Sequence, residues 1–131
     1  MDKYMSFKEY QYHAAKTAVF KSNPSLKFFT NKNREDSTQI EVYDAVPLYP
    51  FLGLAEEAGE VLGKVKKAAR DGHTYQQMKD GLVLELGDVL WYISAICGAL
   101  NVSMEDVAKQ NLDKLWARQA NNTLHGSGDN R

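Results

Sequence analysis

Glu56, Glu57 and Glu60, followed after residues 61–84 by Glu85 and Asp88, are the residues whose types and spacing can do chemistry in this chain. On a helical wheel the three glutamates fall within ~100° of one another, so one helix face carries all three. Taken alone, that face is also what a solvated amphipathic helix looks like. Glu60 precedes Lys64 by four residues in the favourable orientation, and Lys67 lies on the same side. Glu85 and Asp88 change the balance, because they sit three apart in a segment with Leu82, Val89, Tyr92, Ala95 and Ile96 on their own side. The other sides carry Val83, Leu84, Leu86, Leu90, Trp91 and Ile93. A helix apolar all round reads as a buried helix, and carboxylates on a buried helix need paired cations or a metal.

Brought to one crevice, five carboxylates ~6 Å apart at an effective dielectric of ~20 would repel by roughly 3 kcal/mol per pair. Bound cations resolve that repulsion, and all-oxygen donors suit Mg²⁺, or Mn²⁺ in its place, far better than zinc. Mg²⁺ commonly arrives with substrate phosphates. A third segment supplies Asn111, inward among Met104, Val107, Ala108 and Leu115, with Lys114 and Arg118 at the border of that stripe. Two cations there suit phosphate, although long side chains at such a border also simply snorkel to water. Phosphate ester or anhydride hydrolysis is the chemistry this set suggests. Metal-activated water is the expected nucleophile: Cys97 lies in an apolar run, no Ser or His has a triad setting, and His13, His73 and His125 share no ligand spacing.

The positioning elements read as helices. Ser6 with Glu9 forms a capping box opening a first helix to about Phe20. Pro47 and Pro50 introduce a second from about Leu48 to Arg70, stopped at Asp71-Gly72. Thr74 with Gln77 opens a third to about Leu100, where Asn101 is the stop. Ser103 with Asp106 opens a fourth to about Gln119. Residues 21–46 read as a long loop with a weak strand-like piece at Gln39 to Tyr43, and residues 120–131 as a tail. The expected fold is all-α, one domain over 1–131, a four-helix-bundle-like subunit. Gly59, Gly63 and Gly87 beside the acids suit either close helix approach or plain packing.

Composition excludes several classes. With 44% hydrophobic and 25% charged residues, the 131-residue chain is one globular domain rather than a disordered tail. Its 16 basic and 17 acidic side chains leave a net charge of −1, with no global basic field for nucleic acid or acidic membrane. The single cysteine suits a reducing compartment, so the cytoplasm is expected. Met1 to Lys8 has no apolar stretch behind its charges and the longest nearly uninterrupted apolar run is too short for a bilayer, so neither export nor a membrane anchor is expected.

At these acids the chain resembles the MazG-like nucleotide pyrophosphohydrolases of the all-α NTP pyrophosphatase superfamily, whose motif is EExxE, a spacer, then ExxD. The words GLAEEAGEVLGKVKKAARDG and ELGDVLWYISAI, the Asn-x-x-Lys-Leu of Asn111 to Leu115 with Arg118, and the closing HGSGDNR carry the likeness, over about residues 48 to 131. The resemblance implies hydrolysis of a nucleoside triphosphate between its α and β phosphates, giving a monophosphate and pyrophosphate with Mg²⁺. Removal of noncognate or damaged nucleotides is the role it suggests. It implies Glu56, Glu57, Glu60, Glu85 and Asp88 as metal ligands or their immediate partners. Glu57 or Glu60, with Glu57 preferred, would orient or deprotonate the attacking water. Asn111, Lys114 and Arg118 would face the phosphates or close the site. In the family, helices pair across subunits, so a homodimer or homotetramer is implied, and Arg131 in the tail would reach phosphate in a neighbouring subunit.

Base and sugar recognition is not carried over. Tyr12, Phe28, Phe29, Tyr43 and Tyr49 are candidates to stack on a base, beside Asn31, Lys32, Asn33 and Arg34, although aromatics more often serve packing. The rival readings are a phosphoribosyl-ATP pyrophosphohydrolase or a dUTPase-like enzyme of the same superfamily, and a non-catalytic helical interaction module. A di-iron bundle is disfavoured, because it wants Glu-x-x-His pairs and none occurs.

Overall fold

A computed structural model describes residues 4–21, 24–29 and 43–127, without the side chains of residues 28, 29, 43 and 44. The order is α1 (Phe7–Ala15), β1 (Ser25–Phe29), β2 (Tyr43–Pro47), α2 (Tyr49–Asp71), α3 (Tyr75–Ala99) and α4 (Met104–Ala120). Four helices dominate, as the sequence pattern predicts, but the fold is not free of strand. β1 and β2 pair antiparallel, with Leu26 opposite Val46 and Lys27 opposite Ala45, so the segment read as a loop over 21–46 contributes a two-stranded sheet. Most of the weak strand expected at Gln39 to Tyr43 lies outside the described residues.

Local signals explain the helix boundaries. The Ser6–Glu9 and Thr74–Gln77 capping boxes are both reciprocal, each hydroxyl accepting from the N3 amide and each N3 side chain accepting from the cap amide. At α4, Ser103 Oγ instead accepts from Glu105 N at 3.1 Å, a simple cap rather than the expected box with Asp106. Helix α2 ends at Gly72 in the left-handed region, φ +67°, and Asn101 adopts φ 54° after α3. Helix α1 stops at Ala15, short of Phe20, and the chain beyond it turns onto α3: Trp91 Nε1 donates to Thr17 Oγ1 at 2.7 Å.

The α2–α3 pair is the most extensive helix packing, and α1 lies against α3 and α4. The Gln11 side-chain amide joins α1 to the α3–α4 turn, donating to Val102 O and accepting from Met104 N, each at 2.9 Å. At its N-terminal end, α2 comes so close to α3 that the ring of Tyr92 fills the space a β-carbon on Gly53 would need. Gly53 is therefore the glycine the approach depends on. Among the described residues, Gly59 and Gly87 have nothing within 4 Å of such a carbon, and Gly63 has only Glu60 Oε2 at 3.7 Å, so no close approach of α2 and α3 depends on them.

Helix α3 does not meet the expectation of a buried helix. Only Ser94 and Cys97 on it are buried, whereas Val83 is 59% and Leu84 69% exposed, and on α2 Leu62 is 72% exposed. The pattern of apolar residues on every side is real, but the fold of a single chain covers only the sides facing α1 and α2. By length and composition alone, α3, with mean hydropathy 1.5 in its most apolar stretch, is also long and apolar enough to cross a membrane. That differs from the length read from the uninterrupted run.

Candidate metal centre

Helices α2 and α3 bring Glu57, Glu85 and Asp88 together, one carboxylate oxygen from each lying within 4.8 Å of the others. The spacing follows from helical geometry: Glu85 and Asp88 share a face at i, i+3, and Glu57 lies one turn beyond Gly53, where α2 approaches Tyr92 of α3. Tyr92 is in turn one turn beyond Asp88, so the close helix contact and the acids are adjacent on both helices. Glu57 and Glu85 are half-buried and Asp88 is exposed, which leaves the cluster open on one side.

Burial pushes the Glu57 carboxyl above its ordinary value, and the charges of Asp88, Glu85, Glu56 and Glu60 add to that rise. Three carboxylates this close repel by ~1–3 kcal/mol per pair, according to how far water enters. The all-oxygen donor set fits a hard divalent ion, Mg²⁺ or Mn²⁺, and not a thiolate- or imidazole-seeking one.

Glu56 and Glu60 stand apart from the three. Both are exposed, and Glu60 Oε2 lies 4.0 Å from Lys67 Nζ, directed along α2. The i, i+4 pair expected between Glu60 and Lys64 is not what forms. Lys64 Nζ instead reaches across to Glu85 Oε1 at 3.1 Å, because a partly desolvated carboxylate attracts an ammonium more strongly than a hydrated one does.

The phosphate-facing candidates stand on α4, which packs on α1. Asn111 and Lys114 are exposed there, whereas Arg118 is buried, with 7% of its surface accessible. Arg131 lies outside the described residues.

Beside the acids is an aromatic cleft of about 340 Å³, lined by Thr17, Phe20, Lys21, Tyr49, Trp91 and Tyr92 together with Val19. Phe20 stacks on Tyr49 at 5.4 Å and meets Trp91 edge-on at 6.4 Å, and Trp91 meets Tyr92 edge-on at 4.9 Å. The Tyr92 phenol is pushed up to about 12 by desolvation first, then by its hydrogen bond with Tyr49 and by the charges of Tyr49, Glu57 and Glu56. Tyr92, one turn beyond Asp88 and laid over Gly53 one turn before Glu57, joins the cleft to the acidic cluster. Of the aromatics singled out from sequence, Tyr49 lines this cleft. Tyr12 is on α1 against His13 and Lys16, and the side chains of Phe28, Phe29 and Tyr43, with all of Asn31 to Arg34, lie outside the described residues. Phe20, Trp91 and Tyr92 escaped notice because hydrophobic periodicity assigns such residues to packing. A second cavity, about 300 Å³ between α1 and the C-terminal half of α3, has no ionisable group in its wall among the described residues.

Comparison with known proteins bears on the same residues. The family model described as the MazG nucleotide pyrophosphohydrolase domain matches residues 50–123, which include the acidic cluster and all of α4. The Gene 37 protein of Mycobacterium phage L5 is 45% identical over 85 residues, covering 63% of this chain and 75% of the phage protein. No solved structure matches.

Proposed function

The chain belongs to the MazG nucleotide pyrophosphohydrolase family, and from that membership we propose that it is a Mg²⁺-dependent enzyme cleaving ribo- or deoxyribonucleoside triphosphates between the α and β phosphates. One water is added across the anhydride, and the products are a nucleoside monophosphate and pyrophosphate. The observation that carries this reading is the convergence of Glu57, Glu85 and Asp88 within 4.8 Å on two helices.

These three would hold Mg²⁺, or Mn²⁺, with Glu56 and Glu60 as the neighbouring anions around them. The metal, when bound, supplies positive charge against the phosphates and acidifies water. Glu57 or Glu60, with Glu57 preferred, would orient the attacking water or take its proton. Lys114 and Arg118 with Asn111, and Arg131 from the tail, are the residues assigned to phosphate. The aromatic cleft of Phe20, Tyr49, Trp91 and Tyr92 has the size and faces to receive a base.

A second copy of the chain covers the exposed apolar sides of α2 and α3 in this reading. Glu85 and Asp88 in the middle of α3 favour a protein partner over lipid, since carboxylates are costly in hydrocarbon. The enzyme acts in the cytoplasm on the nucleotide pool, removing noncognate or damaged nucleotides, and needs neither nucleic acid nor membrane.

The test is product chromatography after incubation with a panel of ribo- and deoxyribonucleoside triphosphates and Mg²⁺, beside Glu57→Gln. Monophosphate with pyrophosphate, lost in the variant, is the expected result. Diphosphate with phosphate would sink the α–β assignment. Turnover of phosphoribosyl-ATP alone, or of dUTP alone, would move the enzyme to those branches of the superfamily.

A further inference from the structure

Lys64 is set apart from the other lysines of α2 by where its ammonium goes. Lys66 is exposed and Lys67 lies 4.0 Å from the half-exposed Glu60, but Lys64 crosses to α3 and meets Glu85 Oε1 at 3.1 Å. Glu85 has only 14% of its side chain accessible, so this is the ion pair that reaches into the helix interface among those found in the described residues. The lysine stem passes Gly81, one turn before Glu85, where a β-carbon would lie 3.5 Å from Lys64 Cδ. No side chain of that residue clamps the stem, and a four-carbon chain can swing away.

Glu85 is also one of the three carboxylates whose oxygens lie within 4.8 Å of one another. An ammonium in contact with Glu85 is therefore within ~5–7 Å of any ion that Glu85 coordinates, close enough to repel it. The same ammonium offsets the mutual repulsion of the acids when no ion is bound. We propose that Lys64 is the resident counter-cation of the acidic cluster, held by Glu85 in the metal-free protein and released when a divalent cation binds Glu57, Glu85 and Asp88. This rests on the metal-site reading above and adds its regulation. Metal entry must break the Lys64–Glu85 pair, which weakens divalent affinity and keeps the empty site from being forced apart.

The experiment is a Mn²⁺ titration, with free ion read by electron paramagnetic resonance, on wild type, Lys64→Met, Lys64→Arg and Lys66→Met. Thermal unfolding of each in EDTA runs beside it. Lys64→Met keeps the stem and removes the charge, and Lys66→Met removes the same charge from an exposed position on the same helix. Lys64→Met should bind Mn²⁺ about tenfold tighter, with a lowered Tm in EDTA. Lys64→Arg should stay near wild type, and Lys66→Met should change affinity much less. Equal or weaker Mn²⁺ binding by Lys64→Met than by Lys66→Met would overturn the exchange, weaker binding marking Lys64 as a residue that positions Glu85. An unaltered Tm in EDTA would also count against it. Absence of Mn²⁺ binding in wild type would instead fail the metal-site reading itself, and the two failures are distinguishable.

Discussion

The ring of Tyr92 lies directly over the backbone of Gly53, in the space a side chain on Gly53 would occupy. This contact sets the distance between α2 and α3 one turn from Glu57 on the first helix and one turn from Asp88 on the second. The acids meet because the helices are allowed to touch there.

Gly53→Ala should therefore cost about 1–3 kcal/mol of stability, the usual penalty of overpacking. It should also weaken Mn²⁺ binding, since the carboxylates are displaced with the helix. Adding Tyr92→Ala to Gly53→Ala should recover part of the affinity by clearing the ring. Urea unfolding and Mn²⁺ titration of the single and double variants check this, and a Gly53→Ala protein with unaltered stability and affinity would show that the close approach is not needed.

The raised proton affinity of Glu57 makes a signed prediction about pH. A carboxyl whose folded value exceeds its unfolded value contributes stability that is fully present below about 4.5 and lost as pH rises through the folded value. In EDTA, Glu57→Gln should thus be more stable than wild type at neutral pH, with the difference shrinking as pH falls toward 4.5. Taking the difference between the two proteins removes groups common to both, including Glu9, which its hydrogen bonds with Ser6 shift in the opposite direction. With saturating Mg²⁺ the neutral-pH order should reverse. Urea unfolding across the pH series measures it, and a difference independent of pH would contradict the assignment.

The apolar sides left open by the single chain predict self-association. Leu84 and Leu62 are exposed by 69% and 72%, which a monomer in water has no means to compensate. Wild type should sediment as a dimer or larger assembly at micromolar concentration, and Leu84→Glu should shift it toward monomer. Monomeric wild type would remove the second copy from the proposed function.

The acids at their spacings, the ordered motif context, two reciprocal capping boxes and the helix stops at Gly72 and Asn101 were legible in residue order, because helical periodicity and capping act within a few residues. So was the family. Tertiary structure alone decided which carboxylates meet, since Glu57, Glu85 and Asp88 converge while Glu56 and Glu60 remain outward, a distinction of helix rotation and distance that no spacing encodes. It also decided that Lys64 leaves its i, i+4 neighbour for Glu85, because ion-pair choice follows local desolvation. The β1–β2 pairing and the aromatic cleft depend on contacts between segments remote in sequence, and Gly53 shows its purpose only when Tyr92 is laid on it.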